Sequence, residues 1–225
     1  DAEVRAIASG AITDGAPVLV NSNGTVSLAS DVSATGTAVV FDSSTSAYPS
    51  IVYDTNADRI VISYQDGGNS YYGTAIVGTI SGTSISFGSP VVFDSANSSS
   101  MDSSFDINAS KVVITYGNGN PGRAIVGTVD PSDNSISFGS EATYDSTKGA
   151  SGRIAYDVNA QKHLIAYYDD DDDGRAIVGT VSGTDITFGS SAEFETQDTR
   201  TPNVIYDVNA QKHLIFFFFT VIWWC

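Results

Sequence analysis

A chain that repeats one motif about every fifty residues cannot bury its apolar faces within a single unit, so each copy must be covered by the next. Here the run YDVNAQKHLI occupies 156–165 and returns unchanged at 206–215, with looser copies starting at Tyr53 (YDTNADRIVI) and Phe105 (FDINASKVVI). Recurrence of this kind marks propellers, solenoids and other stacked arrays. The units run 36–87, 88–138 and 139–188, with a partial fourth over 189–225.

Each unit resolves into four stretches of β-type composition. In the first they are Ser50 to Tyr53, Arg59 to Tyr64, Thr74 to Ile80, and Ser84 to Phe93 with a break at Gly88-Ser89-Pro90. Period-two alternation puts Ile60, Ile62 and Tyr64 on one face, and does the same for Val112, Ile114, Tyr116 and for His163, Ile165, Tyr167. The third stretch, AIVGT, starts at Ala75, Ala124 and Ala176; the fourth carries ISFGS or ITFGS at Ile85, Ile136 and Ile186. Asp-x-Asn-Ala turns join strands one and two, where Asp and Asn bond their own backbone and tolerate left-handed conformations. These hairpin connections favour an all-β fold of antiparallel four-stranded, propeller-like blades over the parallel coils of a β-solenoid. Three and a half units fall short of the roughly four to eight blades of closed propellers, so the array is incomplete or completed by an oligomer.

The two ends depart from the repeat. Residues 1–34 read as a small β module for attachment or capping, with strands punctuated by Gly10, Asp14-Gly15 and the hairpin dipeptide Asn23-Gly24. The repeat domain then covers 35–225. Near its end Phe217 holds the aromatic place of Tyr64, Tyr116 and Tyr167, after which Phe218 to Cys225 replace the polar loop and the AIVGT strand. Such a change is what a reading-frame shift at a homopolymer tract leaves; a sequencing error and a genuine closing strand are the alternatives. An apolar run of this kind needs cover, which marks Phe217, Phe218, Phe219, Trp223 and Trp224 as candidate interface residues.

The net charge of −16, from 26 acidic against 10 basic residues, repels phosphates and argues against nucleic acid as a partner. The longest apolar run, Leu214 to Trp224, is far shorter than the roughly twenty residues of a membrane helix, so no membrane insertion is expected. Cys225 is the only cysteine, which excludes an intrachain disulfide.

In a four-stranded meander the 1–2 and 3–4 turns lie on one rim, and the 2–3 and 4–1 connections on the other. The first set is nearly invariant; the second varies, with 2–3 loops reading QDGGNSYYG, GNGNPG and DDDDDG. A rigid scaffold with one variable rim is how binding faces are built, and neutral drift in exposed loops is the competing reading. On that rim Tyr71 and Tyr72 are candidates to stack on a sugar, with Asp66 and Asn69 as hydrogen-bonding partners; packing at a blade edge is the alternative. Asp169, Asp171 and Asp173 ahead of Gly174 match the start of oxygen-ligand calcium loops. Ile177 stands at the later ligand position, and a solvated acidic loop is the competing reading. No cofactor other than calcium is implied. His163 and His213 occupy the places of Ile60 and Val112, which favours packing. No nucleophile, zinc-hydrolase or phosphate-loop motif appears, so no catalytic residue is assigned and the chain reads as not an enzyme.

The runs GTAIVGTISGTSISFGSPVVFDS (73–95) and YDTNADRIVISYQDGGNS (53–70) resemble tandem repeats of tail-fibre-like and appendage proteins of marine bacteriophages. The opening ASGAITDGAPVLVNSNGTVS (8–27) is similar to modules near the start of phage structural proteins. The resemblance implies a non-enzymatic tail-fibre component at the virion surface, extracellular and homo-oligomeric. It would contact other virion subunits and turn the variable rim toward a host cell-surface glycan. A purely structural fibre or capsid-appendage protein is the second reading, and a polysaccharide depolymerase the third.

Overall fold

The computed structural model describes residues 7–8, 10–11, 18–28, 36–148 and 152–219. The chain divides into two compact units, Asp1–Ala38 and Val39–Cys225. In the first, β1 (Ile7–Ala8), β2 (Val18–Val20) and β3 (Thr25–Leu28) form a small sheet in which β3 lies between the other two. Asn23-Gly24 makes the β2–β3 turn. Gly24 sits at φ +80, and Asn23 Oδ1 accepts from the Thr25 amide at 3.1 Å and its hydroxyl at 2.7 Å.

The second unit is a row of antiparallel blades, and no helix occurs among the described residues. Blade one consists of β4 (Ser46–Asp54), β5 (Arg59–Asp66), β6 (Tyr72–Ser81), the short β7 (Ser84–Phe87) and the start of β8 (Val91–Asp106). The second half of β8 opens blade two, followed by β9 (Lys111–Asn118), β10 (Gly122–Asp130), β11 (Ser135–Phe138) and β12 (Ala142–Asp145). Blade three holds β13 (Arg153–Asp157), β14 (Lys162–Tyr168), β15 (Gly174–Ser182), β16 (Asp185–Phe188) and β17 (Ala192–Glu195). A half-blade of β18 (Thr199–Asp207) and β19 (Lys212–Phe219) follows. The fold is therefore all-β, with propeller-like blades in an array that does not close.

The split fourth strand has a local cause. In blade one β7 pairs with the end of β6, at Gly78 to Ser81, while Val91 to Asp94 pair with its beginning. Gly88-Ser89-Pro90 fills the gap, where proline's missing N–H costs no ladder bond. The sheet thus carries blade one past Phe87, where the sequence period ends its unit. The same outer-strand sequence, VVFDS, also stands at 39–43.

The core lies between blades. Each has a near face toward the preceding blade and a far face toward the next, and alternation along strands supplies both. Val61, Ala75 and Val77 on the far face of blade one pack with Val112, Ile114, Tyr116, Ile125 and Ile136. Val113, Ala124 and Val126 of blade two meet Ile154, Ile165, Tyr167, Ile177 and Ile186 of blade three. Ala155 and Ala166 of blade three meet Val204 of the half-blade, with Leu164 and Ile215 packed alongside. An aromatic from each outer strand, and Phe41 from the non-strand segment ahead of blade one, closes on the strand-two aromatic of the following blade. The ring separations are 5.1 Å for Phe41–Tyr64 and Phe93–Tyr116, and 5.3 Å for Tyr144–Tyr167 and Phe194–Phe217. These are the tilted and edge-on geometries that ring quadrupoles favour. Phe217 thus holds a tyrosine's place in the array. The 3–4 turns press just as closely: a Cβ on Gly88 would strike the Asn134 carbonyl, and one on Gly139 the Thr184 carbonyl.

Candidate functional site

The invariant rim joins blade to blade. Asp54 Oδ1 accepts from the amides of Asn56 and Ala57, both at 2.9 Å, and Asp106, Asp157 and Asp207 repeat the arrangement. The residue that follows, Asp58, Ser110, Gln161 or Gln211, takes a left-handed φ of 55 to 56. From this frame Asn56 Nδ2 donates to Ser110 Oγ in the neighbouring turn, and Arg59 donates to Asn134 Oδ1 at 2.6 Å and the Pro131 carbonyl at 2.7 Å. Asp106 faces blade three, where His163 Nε2 lies 3.5 Å from its Oδ2 and the His163 ring stacks on Tyr156 at 5.0 Å. Burial raises the Asp106 carboxyl, but His163, the Ala109 amide and Tyr156 outweigh it and the net shift is downward. Burial and the neighbouring Asp106 push the Tyr156 phenol up to about 12. His213 stacks on Tyr206 in the same way.

On the variable rim the structure brings Asp66, Asn69, Tyr71 and Tyr72 into one loop. The Asp66 carbonyl accepts from the Asn69 and Tyr71 amides, and its carboxylate from the Gly68 amide at 2.9 Å and Ser44 Oγ at 3.2 Å. Ser70 and Tyr71 adopt φ of 56 and 63; the Tyr71 ring is half exposed, and Tyr72 is partly buried. The Asp66 carboxylate therefore holds its own loop.

Three basic side chains, Arg175, Arg200 and Lys148, reach into the acidic loop. Asp169 Oδ1 accepts from the Asp171 and Asp173 amides at 3.1 and 3.0 Å, while its Oδ2 receives Arg175 Nε at 2.7 Å. Arg175 also approaches Asp173 at 3.8 Å and Glu193 at 3.1 Å. Asp172, outside the D-x-D-x-D pattern, binds both Arg200 nitrogens at 3.0 Å and pairs with Lys148. Among the described residues no three acidic or histidine side chains converge as a metal-binding set. The signal for this pairing was present in the sequence. Arginine follows the glycine in the second unit too, where Arg123 pairs with Glu141.

A polar seam along the first strands carries no mark in the repeat. Pairing of β4 with β5 skips between Ala47 and Ser50, of β8 with β9 between Ser99 and Asp102, and of β18 with β19 between Arg200 and Asn203. Tyr48, Ser100 and Thr201 turn left-handed at φ 51, 54 and 42. Such bulges re-aim the side chains beside them. Asp102 Oδ2 accepts from the Ile154 amide of blade three at 2.9 Å, and Ser50 Oγ of blade one lies 3.4 Å from its Oδ1. Burial raises the Asp102 carboxyl above its ordinary range, only partly offset by the Ile154 amide and Arg153. Pro49 and Pro202, inside strands, were the available signal.

The far face of the half-blade is uncovered among the described residues. Val61 and Val113 are fully buried where Leu214, at the same register, is 62% exposed. Ser63, Thr115 and Ala166 are likewise buried where Phe216 is 59% exposed. Ile205 and Phe218 are as open, with the Phe218 ring edge-on to Phe216 at 5.2 Å. Of the interface residues expected from sequence, Phe217 turns inward on Phe194 and Phe218 faces outward. Phe219 pairs with Thr199 through its backbone, and Trp223 and Trp224 lie outside the described residues. At the opposite end of the row β4 presents Ile51 at 64% and Tyr53 at 49% exposure.

No family model matches this chain, and no curated protein matches it. Among solved structures it is similar to an α-L-arabinofuranosidase from Clostridium thermocellum, at 18% identity and a TM-score of 0.45. The match covers 71% of this chain and 57% of that one, so this chain spans little more than half the length of the structure it matches. The likeness is to the fold of an enzyme. On that finding the expectation of a non-enzymatic tail-fibre or capsid-appendage component is corrected, and the expectation that the chain is no enzyme is left without support.

Proposed function

We propose that the chain is a modular β-blade scaffold that docks a further blade against the far face of β18 and β19, so that the working particle is larger than one copy. The observation that carries this reading is the set Ile205, Leu214, Phe216 and Phe218, exposed at registers that the preceding blades bury wholly or in part. Contiguous apolar side chains on a flat sheet mark interaction surfaces. Full cover stabilises each by about 1.5–3 kcal/mol, enough together to offset several kcal/mol of association cost. The reading concerns assembly and is compatible with an enzymatic role for the completed array.

Sedimentation of the intact protein tests it. The wild type should associate as concentration rises toward about 100 μM, and Leu214→Asp with Phe216→Asp should remove that association. A wild-type protein that stays monomeric across the range ends the proposal.

A further inference from the structure

We infer that the docked blade is blade one of a second copy of this chain, joined head to tail in the geometry the array already uses between its own blades. This rests on the docking reading above and names its partner. Inside the chain the first strands stand side by side in the order β4, β8, β13, β18, each packed on the one before. Among the described residues two flanks of that series are open, the outer flank of β4 and the outer flank of β18. They carry complementary halves of the internal contact: Ile51 and Tyr53 are exposed near-face residues, and Ile205 and Leu214 are exposed far-face residues.

A polar marker fixes the register. At both internal junctions after blade two, the turn aspartate of one blade faces the first-strand tyrosine of the next: Asp106 with Tyr156, and Asp157 with Tyr206. Asp54 has no such partner, because Phe105 stands at the tyrosine's place in blade two; at the two ends of the series stand Asp207, whose carboxylate caps its own turn, and Tyr53, whose hydroxyl rests on Asp58 at 2.6 Å. Docking β18 of one copy against β4 of another brings Asp207 and Tyr53 into the same relation. Because the two surfaces differ, the interface is heterologous. It propagates into a ring or a filament according to the rotation per copy, and it does not stop at a symmetric dimer.

Two variants of the full chain, each with one face disabled, separate this arrangement from its rivals. The far-face variant is Ile205→Asp with Leu214→Asp; the near-face variant is Ile51→Asp with Tyr53→Asp. Each alone should be monomeric, with self-association weakened about 30-fold or more. Mixed in equal amounts, they should form a one-to-one dimer and nothing larger, since each lends its intact face to the other. If either variant alone still self-associates, the contact joins like faces or lies elsewhere, and the head-to-tail inference falls while the docking proposal stands. If the mixture stays monomeric although the wild type assembles, the near face of blade one is not the partner. A Tyr53→Phe variant that keeps its circular dichroism spectrum but weakens assembly a few-fold supports the tyrosine–aspartate register; unchanged assembly removes that element.

Discussion

The two rims of the array hang from the same strands, yet one repeats its residues and the other does not. On the repeating rim, contact between blades is made by backbone and by capped turns, with side-chain bridges such as Arg59 to Asn134 and Asn56 to Ser110 added at single junctions. Asn134 and Thr184 offer carbonyls to Gly88 and Gly139, and each Asp-x-Asn-Ala turn presents the same shape to its neighbour. A main-chain atom cannot be exchanged for another, so any residue that disturbs it is excluded at every copy. On the variable rim, contact is made mostly by side chains, beside main-chain bonds such as that of the Thr199 amide to the Asp172 carbonyl at 2.8 Å. Gln65 reaches Asn97 at one junction and Asp172 takes Arg200 and Lys148 at another, so each junction has its own solution. Sequence variability on that rim therefore reflects how replaceable the contact is.

The sharpest challenge to this contrast is Gly139→Ala. The added methyl overlaps the Thr184 carbonyl and should cost about 3 kcal/mol, lowering Tm by roughly 10 °C. Gly189→Ala, in the same motif but with nothing nearer than the Val178 carbonyl at 3.9 Å, should leave Tm unchanged. Equal effects at the two sites would undo the main-chain explanation.

Next in size, Asp106→Ala removes the acceptor of two amides in a buried position and should cost about 2–3 kcal/mol in denaturant unfolding. Asp207→Ala, in the same turn but exposed, should cost only a small fraction of that.

A smaller effect should appear with pH. Desolvation lowers the pKa of His213 below its ordinary 6.5, partly opposed by Asp157. The unfolded chain then binds a proton that the folded one refuses, so this stabilisation is present above pH 6.5 and is lost as pH falls below it. The denaturant midpoint should drop between about pH 7.5 and 5, and the slope should flatten in His213→Phe.

The smallest change belongs to the variable rim. Asp172→Ala should move Tm by no more than about 3 °C, and less at high salt. Millimolar calcium should leave Tm where it is, since Arg175 already holds Asp169. A calcium-dependent rise would support the metal reading of that loop.

Much of the strand architecture was legible because it rests on patterns of period two. Ile60, Ile62 and Tyr64 share a face as their alternation requires, and Phe217 sits where its alignment with Tyr167 puts it. The Gly88-Ser89-Pro90 break and the Asn23-Gly24 turn also follow from residue chemistry. The bulges at Tyr48 and Thr201 were marked only by Pro49 and Pro202 inside their strands, and the one at Ser100 was not legible, because a left-handed residue other than glycine leaves no compositional trace. Asp102 stayed hidden for the same reason, since its partner is the main-chain amide of Ile154, which no sequence motif announces. The acidic loop was legible only in part. Its carboxylates were visible, whereas Lys148 and Arg200 reach Asp172 from neighbouring connections.

The continuous β8 strand has a consequence for how the molecule comes apart. Its 16 residues belong to blade one at one end and blade two at the other, which makes those blades a single hydrogen-bonded sheet. Blade three and the half-blade form sheets of their own. Nearest-neighbour coupling in a repeat array sets how far a local opening spreads. The first two blades should therefore melt as one cooperative block, with amide exchange in β5 and β9 governed by a common opening event. β14 and β19 would exchange through separate, cheaper openings, so unfolding would begin at the half-blade and travel toward β8.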